Sequence, residues 1–121
     1  MRLTQIIGQL FVARQRELER YHHEAEQLQR ESLRRLLHMA RFTEYGRNHL
    51  FGEMRNYDDF VKHVPVNTYE ELKDDIDRMR HGEKDILWPG RVKWYAKSSG
   101  TTNDKSKFIP VSEDGLKDTH Y

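Results

Sequence analysis

The chain has 121 residues, of which 34% are charged and 36% are hydrophobic, and its formal net charge at pH 7 is +1. This length suits one domain, and the even balance of charge excludes binding to nucleic acid or an anionic membrane through bulk charge alone. The chain has no cysteine, which excludes a disulfide framework and a thiolate metal site. Since neither a signal segment nor a long apolar run occurs, we expect a cytoplasmic protein.

Residues 1–50 are predicted to form a helical region. Apolar residues recur at three- and four-residue steps, a spacing that places them on one helix face: Leu3, Ile6, Ile7, Leu10, Phe11, Leu18, Tyr21, Ala25, Leu28, Leu36 and Leu37. Mixed charges fill the other faces, as on a solvated helix surface. Gly46 is expected to end the helix in a left-handed conformation.

His22, His23 and Glu26 raise the question of a metal site, because His22 and Glu26 lie four residues apart on one helix face. Two helical ligands without a third group at a suitable spacing make a weak site. We therefore interpret these residues as exposed polar side chains and assign no metal ligand.

Residues 56–82 are predicted to form short helices. Asn56 is a good N-cap for a helix over "YDDFVKH". A capping-box pattern starts the next helix, with Asn67 or Thr68 followed by Glu70 or Glu71. Gly82 is expected to end that helix, and its buried face is expected to consist of Leu72, Ile76 and Met79.

Residues 86–112 predict a strand, a loop and a second strand. A Pro89-Gly90 turn precedes "RVKWYA", whose β-branched and aromatic residues are typical of a strand. The next strand is predicted from Phe108, Ile109 and Val111, and Ser112 begins a helix that is still incomplete at residue 121. The predicted fold class is α/β, with α+β character within this chain.

The loop between the two strands has the composition of a phosphate-binding loop. Gly100 allows a ligand to approach the backbone, and successive N–H groups in such a turn form an anion-binding concavity. Hydroxyls come from Ser98, Ser99, Thr101 and Thr102, and positive charge comes from Lys105 and Lys107. Ordinary flexible turns share this composition, and the loop is not a Walker A motif because Asp104 precedes the lysine.

The order of several motifs adds a family resemblance. "SSGTT" followed by a lysine resembles the phosphate-binding signature of adenylate-forming enzymes. Together with "FTEYG", "VPVNTYEEL", "RMRHGE" and "LWPGRVKWYAKSSGTTNDKSKFIPVS", it makes residues 33–115 resemble the auxin-responsive promoter family of acyl-acid-amido synthetases, in particular its bacterial members. Residues 87–112 are the most diagnostic part.

This resemblance implies a two-step reaction and a set of phosphate-binding residues. A carboxylic acid is adenylated by ATP with Mg²⁺, and an amine, typically of an amino acid, then displaces AMP. The matched residues for the ATP phosphates are Ser98, Ser99, Gly100, Thr101, Thr102 and Lys107, with Asn103, Asp104 and Lys105 as further candidates. No catalytic residue is assigned.

The resemblance also implies an incomplete active site. The family's sites for adenine, acyl acid and magnesium and its mobile C-terminal domain correspond to positions beyond residue 121. The chain is therefore expected to be the N-terminal part of the large domain of an adenylating enzyme, and not to be catalytic by itself.

Two other classes of function stay open at this stage. One is a non-catalytic module whose apolar helix stripe binds a partner or a second copy of the chain. The other is nucleic-acid binding by a basic and aromatic patch formed by Lys93, Trp94, Tyr95, Lys97, Lys105 and Lys107. The near-neutral net charge and the acidic residues Asp74, Asp75 and Asp77 weigh against the second class.

Overall fold

The computed structural model describes residues 3–100 and 105–119, with side chains up to residue 117. It is mostly helical with one two-stranded antiparallel sheet, so the predicted α+β character is confirmed. The helices are α1 (Leu3–His23), α2 (Ala25–Ala40), α3 (Glu44–Asn48), α4 (Tyr57–His63), α5 (Tyr69–Arg80) and α6 (Glu113–Thr119), with a 3-10 turn at Phe51–Glu53. The strands are β1 (Trp94–Lys97) and β2 (Phe108–Val111).

The chain divides into two compact units, a first unit (Met1–Arg35) and a second unit (Leu36–Tyr121). In the first unit a bend at Glu24 separates α1 from α2. Glu24 N–H donates to Arg20 O (2.8 Å) and Leu28 N–H donates to Glu24 O (2.9 Å), so the backbone ladder continues across the bend. Helix α1 contains no buried residue, and its apolar side chains lie exposed. None of the helices in the described ranges has the length and apolarity needed to cross a membrane.

The core of the second unit joins α5 to the segment that leads into β1. Met79, Ile86 and Val92 form its buried cluster, against which Leu87, Trp88 and Tyr95 pack. On the face predicted for α5, Ile76 and Met79 are buried and Leu72 is half-buried. The prediction of that face is therefore confirmed.

Gly46 does not end a helix, and this prediction was wrong. Helix α2 ends earlier, at Ala40, and Gly46 lies buried within α3. The Thr43 hydroxyl donates to Ala40 O (2.7 Å) and accepts from Gly46 N–H (2.9 Å), which makes Thr43 the N-cap of α3. A Cβ on residue 46 would lie 2.0 Å from Ala40 O. Glycine is needed here because two backbone segments touch, and not for a left-handed conformation.

Helix α3 is attached to the rest of the second unit by backbone and side-chain contacts. Glu44 N–H donates to Asp85 O (2.7 Å) and Tyr45 N–H donates to Ile86 O (3.0 Å). The Arg78 guanidinium donates to both carboxylate oxygens of Glu44, at 2.9 and 2.8 Å. These hydrogen bonds from Arg78 hold the pKa of Glu44 below its ordinary value.

The predicted helix caps are confirmed. The Asn56 side chain accepts from Asp59 N–H at the start of α4. Of the alternatives for α5, the capping box is formed by Thr68 and Glu71. Gly82 follows the end of α5 with a φ of +96°, which is the left-handed conformation expected of it.

Strands β1 and β2 form a hairpin in which Trp94 pairs with Val111 and Lys97 pairs with Phe108. The predicted first strand began at Arg91, three residues too early. Strand β2 ends at Val111, because the next residue, Ser112, caps α6. The Ser112 hydroxyl oxygen accepts from Gly115 N–H (3.0 Å). Residues 91–93 therefore have no strand opposite them.

The close approach at Gly46 predicts a strong effect of one added methyl group. We expect Gly46→Ala to lower the free energy of unfolding by about 2–3 kcal/mol, because Ala40 O belongs to the backbone and moves only with its helix. The matched control is Gly52→Ala, since a Cβ on Gly52 has no atom within 4 Å. Urea unfolding followed by circular dichroism measures both. Equal midpoints for the two variants would contradict the prediction.

The lowered pKa of Glu44 predicts a loss of stability in acid. The carboxylate of Glu44 takes up a proton less readily in the folded state than in the unfolded state. Its contribution to the free energy of unfolding is therefore fully present above the ordinary glutamate pKa. This contribution is lost as the pH falls through the lowered pKa of the folded state. We expect the wild-type chain to lose more stability between neutral pH and pH ~3 than Glu44→Gln does. Unfolding midpoints across this range measure the difference, with exposed Glu53→Gln as the control; parallel curves for wild type and Glu44→Gln would refute it.

Candidate functional site

The ends of the loop between β1 and β2, residues 98–107, are tied together by two hydrogen bonds. Ser98 N–H donates to Lys107 O at 2.9 Å. Lys107 N–H donates to the Ser98 hydroxyl oxygen, also at 2.9 Å. Two of the sequence-predicted phosphate-binding residues, Ser98 and Lys107, therefore lie side by side at the base of the hairpin loop.

The other predicted site residues divide into two groups. Ser99, Gly100 and Lys105 are exposed, as is Lys107, while Ser98 is half-buried. Four predicted residues lie outside the described residues: Thr101, Thr102, Asn103 and Asp104. The structure thus shows the two ends of the loop and the cations on its second half.

Helix α5 contacts the hairpin where β2 begins. Phe108 N–H donates to the Tyr69 hydroxyl oxygen at 3.0 Å, and the Lys107 ammonium lies 5.5 Å from the centre of the Tyr69 ring. The Arg80 guanidinium carbon lies 3.6 Å from the centre of the Phe108 ring, and the Lys97 ammonium lies 5.9 Å from the same point. Sequence reasoning did not find Tyr69 or Arg80, because no local pattern connects α5 with residues 28 to 39 positions further along the chain.

Positive charge is concentrated around this end of the hairpin. Arg80 is paired with Asp77 at 3.4 Å. Within the described ranges, by contrast, Lys97, Lys105 and Lys107 take part in no ion pair. Exposed lysines without a carboxylate partner among the described residues are a feature that sites for anions with several oxygens share. The neighbouring backbone N–H groups of Lys107 and Phe108 already donate to Ser98 and Tyr69.

The two aromatic residues of β1 lie on opposite faces of the sheet, since successive strand residues alternate. Tyr95 packs against the core of the second unit, whereas Trp94 is 46% exposed. The Tyr95 hydroxyl is buried without a hydrogen-bond partner among the described residues, and burial raises its pKa while Arg80 and Arg91 oppose the increase. Because Trp94 and Tyr95 do not share a face, they do not form one stacking surface for nucleic-acid bases.

The described residues also contain no group of three or more histidine, aspartate or glutamate side chains arranged to hold a metal ion. His22, His23 and Glu26 belong to the exposed surface of the first unit. His22 and His23 lie in an edge-to-face ring contact, with 5.2 Å between their ring centres.

Comparison with known proteins connects the chain with a family. Residues 14–121 match the GH3 family N-terminal domain. An indole-3-acetic acid-amido synthetase of Arabidopsis thaliana, GH3.15, is 35% identical over 92 residues, which cover 75% of this chain and 15% of that protein. A second one, GH3.5, is 32% identical over 93 residues, which cover 76% and 15%. The jasmonoyl-L-amino acid synthetase GH3.3 of Oryza sativa subsp. japonica is 33% identical over 104 residues, which cover 85% and 22%.

The chain therefore spans between 15% and 22% of the length of these three relatives. Their names describe amido or amino acid synthetases, which confirms the resemblance to acyl-acid-amido synthetases at the level of the family. Because the family match covers every position from 14 to 121, the chain belongs to the GH3 family, in the region of its N-terminal domain.

Proposed function

We propose that the loop of residues 98–107 binds the phosphates of ATP in a carboxylate-adenylating amido synthetase. A carboxylic acid attacks the α-phosphate of ATP to give an acyl adenylate and pyrophosphate. An amine then displaces AMP and forms an amide. The names of the relatives support a small carboxylic acid and an amino acid as the substrate classes. We also propose that the chain belongs to the bacterial branch of the family, on the resemblance of the motifs in residues 33–115 to its bacterial members.

One observation carries this proposal, namely the reciprocal pair of hydrogen bonds between Ser98 and Lys107. The pair closes the base of a loop that also contains Ser99, Gly100 and Lys105. Negative charge builds on pyrophosphate as it leaves, so fixed donors and a cation near its oxygens stabilise the transition state more than the ground state. A closed base reduces the reorganisation needed to present such donors.

The proposed roles within the loop differ from residue to residue. Ser98 closes the loop by accepting from Lys107 N–H, and its hydroxyl proton is still able to donate to a phosphate. Lys107 supplies the cation, with Lys105 as a second one, and Gly100 allows close approach of the backbone. Ser99, Thr101 and Thr102 are proposed to donate hydroxyl hydrogens to phosphate oxygens, with Asn103 as a further candidate.

Mg²⁺ would accompany ATP, and it prefers oxygen ligands such as carboxylates and phosphates. The described residues of the hairpin loop are serines, lysines and glycine, which fit the phosphates rather than the metal ion. Asp104 is the acidic residue of the loop. We propose that Asp104 either contacts Mg²⁺ or lowers the affinity for ATP through its negative charge.

The proposal assigns phosphate binding, and not the whole reaction, to these 121 residues. The chain spans 15% to 22% of the relatives described above, and adenylation also requires the acid to be held in line with the α-phosphate. We expect the chain by itself to bind MgATP without turnover. Its use of ATP favours the cytoplasm as the place of action.

The exposed apolar face of α1 supports a second candidate function, a non-catalytic module that binds a partner or a second copy of the chain. Leu3 is 72% exposed, Leu10 is 66% exposed and Phe11 is 71% exposed. Exposed apolar residues at helical spacing are characteristic of interaction surfaces. Binding of a second copy predicts a molecular mass that rises with concentration and does not depend on ATP.

Titration calorimetry with MgATP tests the main proposal. We expect saturable binding by the wild-type chain, and a dissociation constant at least about tenfold higher for the Lys107→Ala, Ser99→Ala double variant, because a charge-assisted contact is lost. Lys84→Ala removes the same charge from an exposed site outside the hairpin, and we expect it to bind like wild type.

Two results would contradict this expectation. Equal binding by the double variant and wild type would show that the loop does not form the binding site for MgATP. No binding by a folded wild-type chain whose mass rises with concentration would instead favour the interaction module, and sedimentation of the same samples measures that mass.

The hydrogen bond between Lys107 N–H and the Ser98 hydroxyl predicts a difference between neighbouring serines. In Ser98→Ala this N–H loses its acceptor, at a cost of about 1 kcal/mol, so we expect the Lys107 amide hydrogen to exchange about fivefold faster. Ser99→Ala is the matched control and is expected to leave that rate unchanged. Amide exchange followed by NMR measures both rates, and an unchanged rate in Ser98→Ala would show that this bond does not close the loop.

A further inference from the structure

Tyr69 is held in a fixed place at the start of α5. It is the first residue after the N-cap Thr68, whose N–H donates to the Glu71 carboxylate at 2.7 Å. Glu71 N–H donates back to the Thr68 hydroxyl oxygen at 3.4 Å. Just before the cap, the Tyr45 hydroxyl donates to the Asn67 side-chain oxygen at 2.5 Å. The backbone on both sides of Tyr69 is therefore fastened to neighbouring groups.

From this position Tyr69 contacts both residues at the junction of the loop and β2. Lys107 N–H donates to the hydroxyl oxygen of Ser98, the residue that follows β1. Successive N–H groups of a strand point in opposite directions, and Phe108 N–H donates instead to the Tyr69 hydroxyl oxygen at 3.0 Å. The ring of the same tyrosine lies 5.5 Å from the Lys107 ammonium, within the range of a cation–π attraction.

We propose that Tyr69 is a positioning residue that holds Lys107 ready for the phosphates of ATP, an inference that rests on the proposed function of the loop. Its hydroxyl fixes the backbone next to Lys107, and its ring restricts the lysine side chain. A free lysine side chain loses much rotamer freedom when it binds an anion. Restricting that freedom beforehand lowers the cost of binding. At 5.5 Å the attraction to the ring is weak enough for the ammonium to exchange it for a phosphate oxygen.

The experiment compares Tyr69→Phe, which removes only the hydroxyl, with Tyr69→Leu, which also removes the ring. Tyr57 provides matched controls, since it too is the first residue of a capped helix and is 65% exposed. We expect the dissociation constant for MgATP to rise about threefold to fivefold in Tyr69→Phe and about tenfold in Tyr69→Leu. Tyr57→Phe and Tyr57→Leu are expected to bind like wild type.

A double-mutant cycle distinguishes positioning from a general structural role. If Tyr69 acts through Lys107, Tyr69→Phe changes nothing once Lys107→Ala is present, because the group that it positions has been removed. Amide exchange at Phe108 gives a readout without ATP, and we expect it to be about fivefold faster in Tyr69→Phe. Circular dichroism of each variant confirms that it is folded.

The possible outcomes separate this inference from the proposed function. If the wild-type chain binds MgATP and both Tyr69→Phe and Tyr69→Leu bind it equally well, the positioning role is overturned. Phosphate binding by the loop is unaffected by that result. An equal loss of affinity with and without Lys107 also overturns it, because Tyr69 would then act on the fold as a whole. A wild-type chain that is folded and does not bind MgATP overturns the proposed function, and the inference with it.

Discussion

The second unit depends on one place where two stretches of backbone touch. The turn after α2 brings Ala40 O so close to Gly46 that a Cβ there would lie only 2.0 Å away. Thr43 bridges the same turn by donating to Ala40 O and accepting from Gly46 N–H. This closure directs α3 so that the N–H groups of Glu44 and Tyr45 meet the carbonyls of residues 85 and 86. Because residue 46 is a glycine and has no Cβ, α3 can take this position.

The candidate site follows from the attachment of α5 to this turn. Arg78 holds α5 to α3 through Glu44, and the hydrogen bond from Tyr45 to Asn67 holds the segment that enters α5. Helix α5 then carries Tyr69 and Arg80 to the hairpin. The loop is therefore positioned at its second end by tertiary contacts, and not by the hairpin alone.

Sequence reasoning succeeded where the cause of a structure lies within a few residues. Asn56, Thr68 and Gly82 were recognised because each cap acts on groups three or four residues away. Gly46 was misread, since a glycine that ends a helix and one that permits close backbone approach look alike in a sequence. The hydrogen bond between Tyr69 and Phe108 was not predicted because the two residues lie 39 positions apart, and propensity carries no information over that distance.

Arginine and lysine make different contacts in the described part of the chain, a difference that the near-zero net charge does not show. In the described part of the chain, the ion pairs join arginines to carboxylates, as in the group of Arg78 with Glu44, Asp75 and Glu83. Arginine suits such fixed, forked contacts, whereas lysine carries a compact charge on a flexible stem. Lys105 and Lys107 lie in the loop without such a carboxylate partner among the described residues. The described residues thus pair their arginines with carboxylates and leave these two lysines exposed and without a carboxylate, a difference that net charge alone does not reveal.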